Sequence, residues 1–371
     1  SRQFGYKMLG FTAIFFFVFP FLKEIFEHPS GINPFQTPQE NFPKQSECIN
    51  QRPIVAIVTE PAWSKCGEDE SYAFLAASYI KYVEEMGARP VPLRHTATYE
   101  EAQHILESVN GVILPGGAVY LLKSDEERSG GTPIPDPIGN PSFNSDYTPF
   151  MNLMEYIIQF AQQKNDEGVR FPLMGICLGF EAMIISASNQ KQIDECDAHN
   201  IASLQTPMNF DQSQWFKDVT PAGEQALSQH GLVYQYHRRC TKESTWNEKP
   251  ELAQMYLLTS TALDNIGNVY LNSAEGKRYP FYGFQYHPGK IAFEWSTVET
   301  EIPREMNAKL WAQVLANSFG QEIRKNNQRF ATIEEEQNSL IYNYPSRYTP
   351  GEYYAQIYCL PPEGSPTSRN Q

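Results

Sequence analysis

A thiol and an imidazole stand far apart in this 371-residue chain, each at the end of an apolar run that reads as a buried strand. Cys177 follows Phe171-Pro-Leu-Met-Gly-Ile176 and precedes Leu178-Gly-Phe-Glu-Ala-Met-Ile-Ile-Ser-Ala-Ser188, a helical pattern. Gly175 and Gly179 flank the cysteine, so the chain can turn sharply there without a Cβ in the way. A cysteine at such an elbow sits against a helix N-terminus. The free N–H groups and partial positive charge there stabilise a thiolate and a developing oxyanion. Gly111-Val-Ile-Leu-Pro-Gly-Gly117 reads as a strand ending in a glycine turn. Backbone N–H groups at Gly116, Gly117 and Leu178 are the expected oxyanion donors.

His287 ends the aromatic run 279–286, at a strand end of the kind where α/β sheets carry chemistry. In an extended His-Pro-X triplet, residues i and i+2 face the same way. A carboxylate at 289 would then steady the ring and fix its tautomer. Residue 289 is glycine. The expected unit is a Cys177–His287 dyad short of its third member, unless another carboxylate, Glu294 for instance, reaches the ring. Each segment alone has a plainer reading, a buried inert cysteine or a capped strand end; the pair together favours a nucleophile and its base.

These residues need a sheet to bring them together. Strands are expected at 54–59, 89–93, 111–115, 171–176, 268–272 and 279–286, and helices at 70–86, 99–108, 148–164, 178–188 and 303–326. Strand and helix alternate over the first half, which predicts an α/β fold: a central, mostly parallel sheet with helices on both faces. An N-terminal apolar helix is added to it. The elbow falls mid-order, on a central strand. The chain divides into an apolar segment (1–27), a Pro/Asn/Gln-rich linker (28–51), the main domain (52–330) and a Tyr-rich extension (331–371). Residues 124–148 read as a long surface loop.

Pro115-Gly-Gly, Gly175-Ile-Cys177-Leu-Gly-Phe-Glu181 and Gln285-Tyr-His287-Pro resemble the class I glutamine-amidotransferase-like superfamily, and within it the gamma-glutamyl hydrolases. The finer resemblance lies in Arg52-Pro-Ile-Val-Ala-Ile-Val58, Ala76-Ala-Ser-Tyr-Ile-Lys-Tyr82, Gly87-Ala-Arg-Pro-Val-Pro92, Pro207-Met-Asn-Phe210, Ala292-Phe-Glu-Trp295 and Ile323-Arg-Lys-Asn-Asn327. The segments run in family order. The resemblance implies Cys177 as nucleophile, His287 as base, a supporting His237, and Glu181 beside the substrate. It implies an omega-peptidase type cysteine hydrolase acting on folyl-poly-gamma-glutamate or another gamma-glutamyl peptide, with no cofactor and no metal. The family pattern reads His-Pro-Glu-Lys where this chain has His-Pro-Gly289-Lys.

A net charge of −14 argues against a nucleic-acid partner. A polyanionic substrate would need a local cationic pocket, for which Arg238, Arg239 and Lys290 are candidates. The six cysteines show no metal-site spacing and leave room for one or two disulfides. Residues 8–22 form an apolar run preceded by Arg2 and Lys7, read as a membrane anchor for a soluble domain. The resemblance implies a lysosomal or secretory setting. The lack of an Asn-x-Ser/Thr acceptor and the start at Ser1 point instead to the mitochondrial inner membrane. Tyrosines at 342, 344, 348, 353, 354 and 358 make the extension either a strap over the domain or, with the N-terminal helix, a surface for protein partners. Two functions follow: a gamma-glutamyl hydrolase, or a weakened or inactive relative serving as a structural subunit of a membrane-bound assembly.

Overall fold

The computed structural model describes residues 49–62, 66, 72–129, 140 and 142–362. The apolar run 8–22 and most of the linker lie outside them. Among the described residues no helix is long and apolar enough to cross a membrane.

The strands are β1 (Ile54–Val58), β2 (Glu60–Pro61), β3 (Ala73–Ala76), β4 (Arg89–Leu93), β5 (Gly111–Leu114), β6 (Leu173–Ile176), β7 (Asp194–Ser203), β8 (Thr206–Pro207), β9 (Val233–Cys240), β10 (Tyr256–Leu263), β11 (Val269–Gly276), β12 (Phe281–Phe284), β13 (Ser346–Tyr348) and β14 (Gln356–Leu360). The central sheet has eight strands in the order β4-β1-β5-β6-β12-β11-β10-β8. The first five run parallel and the last three pair antiparallel. β1, β5, β6 and β12 are buried along their whole length, which is why they read as unbroken apolar runs.

The helices are α1 (Ala77–Glu85), α2 (Tyr99–Leu106), α3 (Lys123–Ser129), α4 (Pro149–Asp166), α5 (Leu178–Ser188), α6 (Pro221–Gln229), α7 (Glu243–Glu248), α8 (Pro250–Met255), α9 (Pro288–Phe293), α10 (Met306–Ile323) and α11 (Ile333–Ser339). Ile54, Ala56 and Val58 of β1 face one core with Leu106 of α2, Phe150 of α4, Phe180 of α5 and Leu252 of α8. Val55 and Ile57 face the other, with Tyr82 of α1, Leu227 of α6, Ile291 of α9 and Trp311 of α10. The alternation of β1 thus divides the helices between the two sides. Caps set several boundaries. Thr98 and Glu101 form a reciprocal capping box on α2, and Thr148 Oγ1 accepts from Met151 N ahead of Pro149 at the start of α4.

Two readings of the sequence are corrected, and of the two alternatives for the extension the strap is seen. The expected helix 70–86 begins as β3, because residues 73–76 pair with β2 and β14 and only then turn helical. The expected loop 124–148 opens with α3. The extension packs on its own domain: β14 joins β13, β3 and β2 in a four-stranded sheet, Ile341, Ile357 and Leu360 enter the core, and a Cys66–Cys359 disulfide fixes it. A second disulfide, Cys196–Cys240, joins β7 to β9.

The elbow depends on one close approach. A Cβ on Gly179 would lie 2.0 Å from the Leu114 carbonyl oxygen, and Leu114 pairs with Gly175 in the sheet. Gly179→Ala is therefore expected to destabilise by about 3 kcal/mol or more. A urea titration would show it as a lowered midpoint with unchanged slope.

Candidate active site

Cys177 is the residue after β6 and the N-cap of α5. It holds φ 52° and ψ −108°, a strained conformation for a residue with a side chain. The flanking glycines do not take positive φ themselves. They make room: a Cβ on Gly175 would meet Met183 Sδ at 2.4 Å and the Gly179 carbonyl oxygen at 2.7 Å. The strain sits on Cys177, whose N–H donates to Phe284 O at 2.7 Å. Cys177 is the free cysteine among the described residues, and it is buried.

His287 follows β12, the parallel neighbour of β6, and is also buried. A Cβ built on Gly116 would lie 2.7 Å from His287 Cε1 and 3.0 Å from Cys177 Cβ, so imidazole and thiol flank the same residue. Neither ring nitrogen has a hydrogen-bond partner among the described residues. Burial first, then Lys290 and His237, holds the ring well below the ordinary histidine range, and it is neutral at pH 7.

The extended His-Pro-X reading fails here. His287 is the N-cap of α9, and Gly289 lies in its first turn. A Cβ on Gly289 would lie 3.0 Å from Tyr82 Cβ and 3.3 Å from the Ser78 carbonyl oxygen, so position 289 faces α1 at close packing distance. Glu294 does not take the missing role. Its Oε1 accepts from the backbone N–H groups of Trp295, Ser296 and Ala355.

A cavity of about 400 Å³ opens over the pair, lined by Cys177, Leu178, Glu181, His237, Arg238, Arg239, Gly117, His287 and Lys290 among others. The Gly116 N–H is not available to it, since it donates to Tyr79 Oη at 2.7 Å. The Leu178 N–H turns toward the Cys177 sulfur. Glu60 was not anticipated; its carboxylate occupies the space beside Gly117, where a Cβ would lie 2.2 Å from Oε2.

The three basic candidates differ. Lys290 is buried and already ion-paired with Glu299, with its Nζ 4.9 Å from the Tyr354 ring, 5.3 Å from Tyr236 and 5.8 Å from Tyr234. It is not free to take a substrate anion. Arg239 lies 5.0 Å over the Tyr120 ring and acts on Glu181, and its Nη1 is buried without a partner. Arg238 is exposed at the cavity lining. His237 Nε2 lies 3.1 Å from Gln235 Oε1, and burial pulls this ring down to about 4. Burial pushes the Glu181 carboxyl up to about 7, against the opposing pull of Arg239 and Gln285. Tyr79, Glu299 and the strap residues Tyr353 and Tyr354 carry no chemical signature in sequence. Gln285, two residues before His287, was legible by its spacing. No cluster of three or more metal-type side chains occurs among the described residues.

Two outcomes test this geometry. Between about pH 4.5 and 7 the folded state keeps a proton on Glu181 that the unfolded state has released. That contribution to stability is lost as pH rises through 7. Glu181→Gln should remove it, gaining on the parent by up to about 3 kcal/mol between pH 4 and 8 in paired urea titrations. Gly289→Glu should cost about 1–3 kcal/mol, because α9 must move off α1. A revertant of unchanged stability would show that the contact yields easily.

Comparison with known proteins supplies the lineage. The family model Peptidase C26 matches residues 53–131, and Glutamine amidotransferase class-I matches 141–297, a span that holds both Cys177 and His287. Gamma-glutamyl hydrolase 1 of Arabidopsis thaliana is 31% identical over 337 residues, 89% of this chain and 88% of that protein. Gamma-glutamyl hydrolase of Homo sapiens is 30% identical over 306 residues, 81% of this chain and 86% of its own. That of Mus musculus is 29% identical over 304 residues, again 81% and 86%. With such identity sustained across most of both partners, the chain belongs to the gamma-glutamyl hydrolase family.

Proposed function

We propose that this protein is a cysteine hydrolase of gamma-glutamyl peptide bonds, with folyl-poly-gamma-glutamates as the substrate class. The observation that carries the reading is the strained Cys177 elbow beside a neutral, unpartnered His287 over one cavity. Cys177 attacks the γ-carbonyl carbon while His287 takes the thiol proton. The oxyanion is held by the N–H groups of Gly117 and Leu178, with Gly116 kept in place by Tyr79. His287 returns the proton to the leaving amine as the C–N bond breaks. Water then attacks the thioester, giving up a proton to His287, and the acid product leaves with the thiol restored. Arg238 and Arg239 face the substrate's carboxylates, and Glu181 accepts from its N–H groups. His237 supports the wall on which both arginines stand.

His287 acts here without a carboxylate behind it. Losing that partner costs on the order of 10⁴ in rate when the nucleophile is serine. A thiol is more acidic and more nucleophilic than a hydroxyl, so a slowed but working dyad is expected. The second reading, an inactive structural relative, rests on Gly289. The two disulfides favour an oxidising compartment.

The deciding assay is release of glutamate or short glutamate oligomers from a folyl-polyglutamate by the purified protein. The parent should cleave, and Cys177→Ala should lose on the order of 10³-fold or more. A parent that cleaves nothing, or a Cys177→Ala variant that cleaves equally well, would replace the enzymatic reading with the structural one.

A further inference from the structure

The Cys177 sulfur accepts from the Leu178 N–H and from Gln285 Nε2, 3.9 Å away, and no hydrogen bond joins it to His287. The same Gln285 Nε2 donates to Glu181 Oε1 at 3.1 Å. An amide nitrogen carries two N–H groups, so one can serve each acceptor. Both backbones are tied down. Gln285 N donates to Asn272 O at 2.9 Å in β11, and Cys177 N donates to the carbonyl of Phe284, the residue before Gln285. Gln285 is buried, so its amide does not exchange these partners for bulk water.

The bridge stands where two negative charges would meet. Glu181 disfavours the Cys177 thiolate, while Lys290 and Arg239 favour it. Tyr79, Tyr270 and Tyr354 also interact electrostatically with the sulfur. Lys290 is already committed to Glu299, and Arg239 acts on Glu181. Two anions in a buried site repel strongly. A donor that touches both lessens the repulsion at the point where it is largest, and a hydrogen bond to a charged acceptor is stronger than one to a neutral acceptor.

We propose that Gln285 is a positioning residue whose side-chain amide bridges Cys177 Sγ and Glu181 Oε1, allowing a thiolate and a carboxylate to coexist in the cavity. This deepens the proposed cysteine mechanism, but its test reads the thiol directly and needs no turnover.

The full-length protein is treated with iodoacetamide across pH 6–11, and the rate is followed on the Cys177 peptide by mass spectrometry. This separates Cys177 from Cys48, the other cysteine outside the two disulfides. Gln285→Met keeps the volume and removes the donor. It should raise the thiol's apparent pKa by about one unit and slow alkylation below the midpoint about tenfold. Gln285→Glu adds a further anion and should shift it more. Combining Gln285→Met with Glu181→Gln should recover much of the shift, which a merely structural role would not do. Should Gln285→Met fail to fold, Gln285→Asn shortens the reach and is expected to move the profile in the same direction. A folded variant whose alkylation profile superimposes on the parent's overturns the proposal, whatever happens to its turnover. A shifted profile in a protein that cleaves no gamma-glutamyl bond would leave this inference standing and remove the proposed function.

Discussion

β6 and β12 run parallel and in register from Leu173↔Phe281 to Ile176↔Phe284, and the site depends on that pairing. One residue separates β6 from α5 and three separate β12 from α9, and the two parallel strands leave the sheet at the same edge. Cys177 is the first residue beyond one strand, and His287 lies three beyond the other. The Cys177 N–H completes the pairing by donating to Phe284 O, which is also what keeps the cysteine in its strained conformation. A register slip of one residue would turn Gly283 away from the Phe180 ring, where a Cβ has no room, and would carry His287 off the cavity. The juxtaposition of Cys177 and His287 and the packing of α5 on the sheet therefore rest on the same contacts.

The electrostatics follow from how thoroughly this edge is buried. Isolated charges are costly there, and two of those present are offset by neighbours. Lys290 has Glu299 and three tyrosine rings; Glu181 has Gln285 and faces Arg239. The two histidines stay neutral. A neutral imidazole beside an uncharged thiol is a resting state in which neither partner has yet been ionised. Burial pushes the Cys177 thiol up, and the Leu178 N–H acts in the opposite direction. In the proposed mechanism no carboxylate stands behind His287, so stabilising the charged pair would fall to the backbone N–H groups and the Gln285 amide.

The parts that were legible in sequence are those that depend on local pattern. β1, β5, β6 and β12 are short apolar runs bounded by turns, and α4 carries its own cap. The elbow could be read because a cysteine between two glycines, at the join of an apolar run and a helical pattern, marks a tight turn by local residues alone. What escaped was non-local. β7 and β9 are rich in polar residues, lack a clean alternation and take strand form by pairing with each other, and β3 looks helical until β2 and β14 flank it. Gly289 was read as a gap in an extended segment because the helix-start signal of Pro288 was passed over. The glycine in fact lies against α1, a contact between segments far apart in the chain. Lys290 looked like a substrate cation for the same reason: its partner Glu299 is near in sequence, but the tyrosine cage is assembled from β9 and the strap.

The strap changes what counts as the catalytic unit. A boundary at 330 would remove Ile341, Ile357 and Leu360 from the core that also holds Tyr79, Tyr82 and Cys177. It would also strip β14 from β3, exposing an edge whose other neighbour is the two-residue β2. Tyr353 and Tyr354 line the cavity from this segment, and Ala355 N is one of the three donors that occupy Glu294. The Cys66–Cys359 bridge closes a very long loop, and it ties the far end of the strap to the segment that carries Glu60 into the cavity wall. The disulfide therefore joins two segments that both contribute to the cavity wall. The extension is a structural part of the pocket through Tyr353 and Tyr354, with Tyr354 over Lys290, while Tyr342 and Tyr348 stay exposed on its outer side.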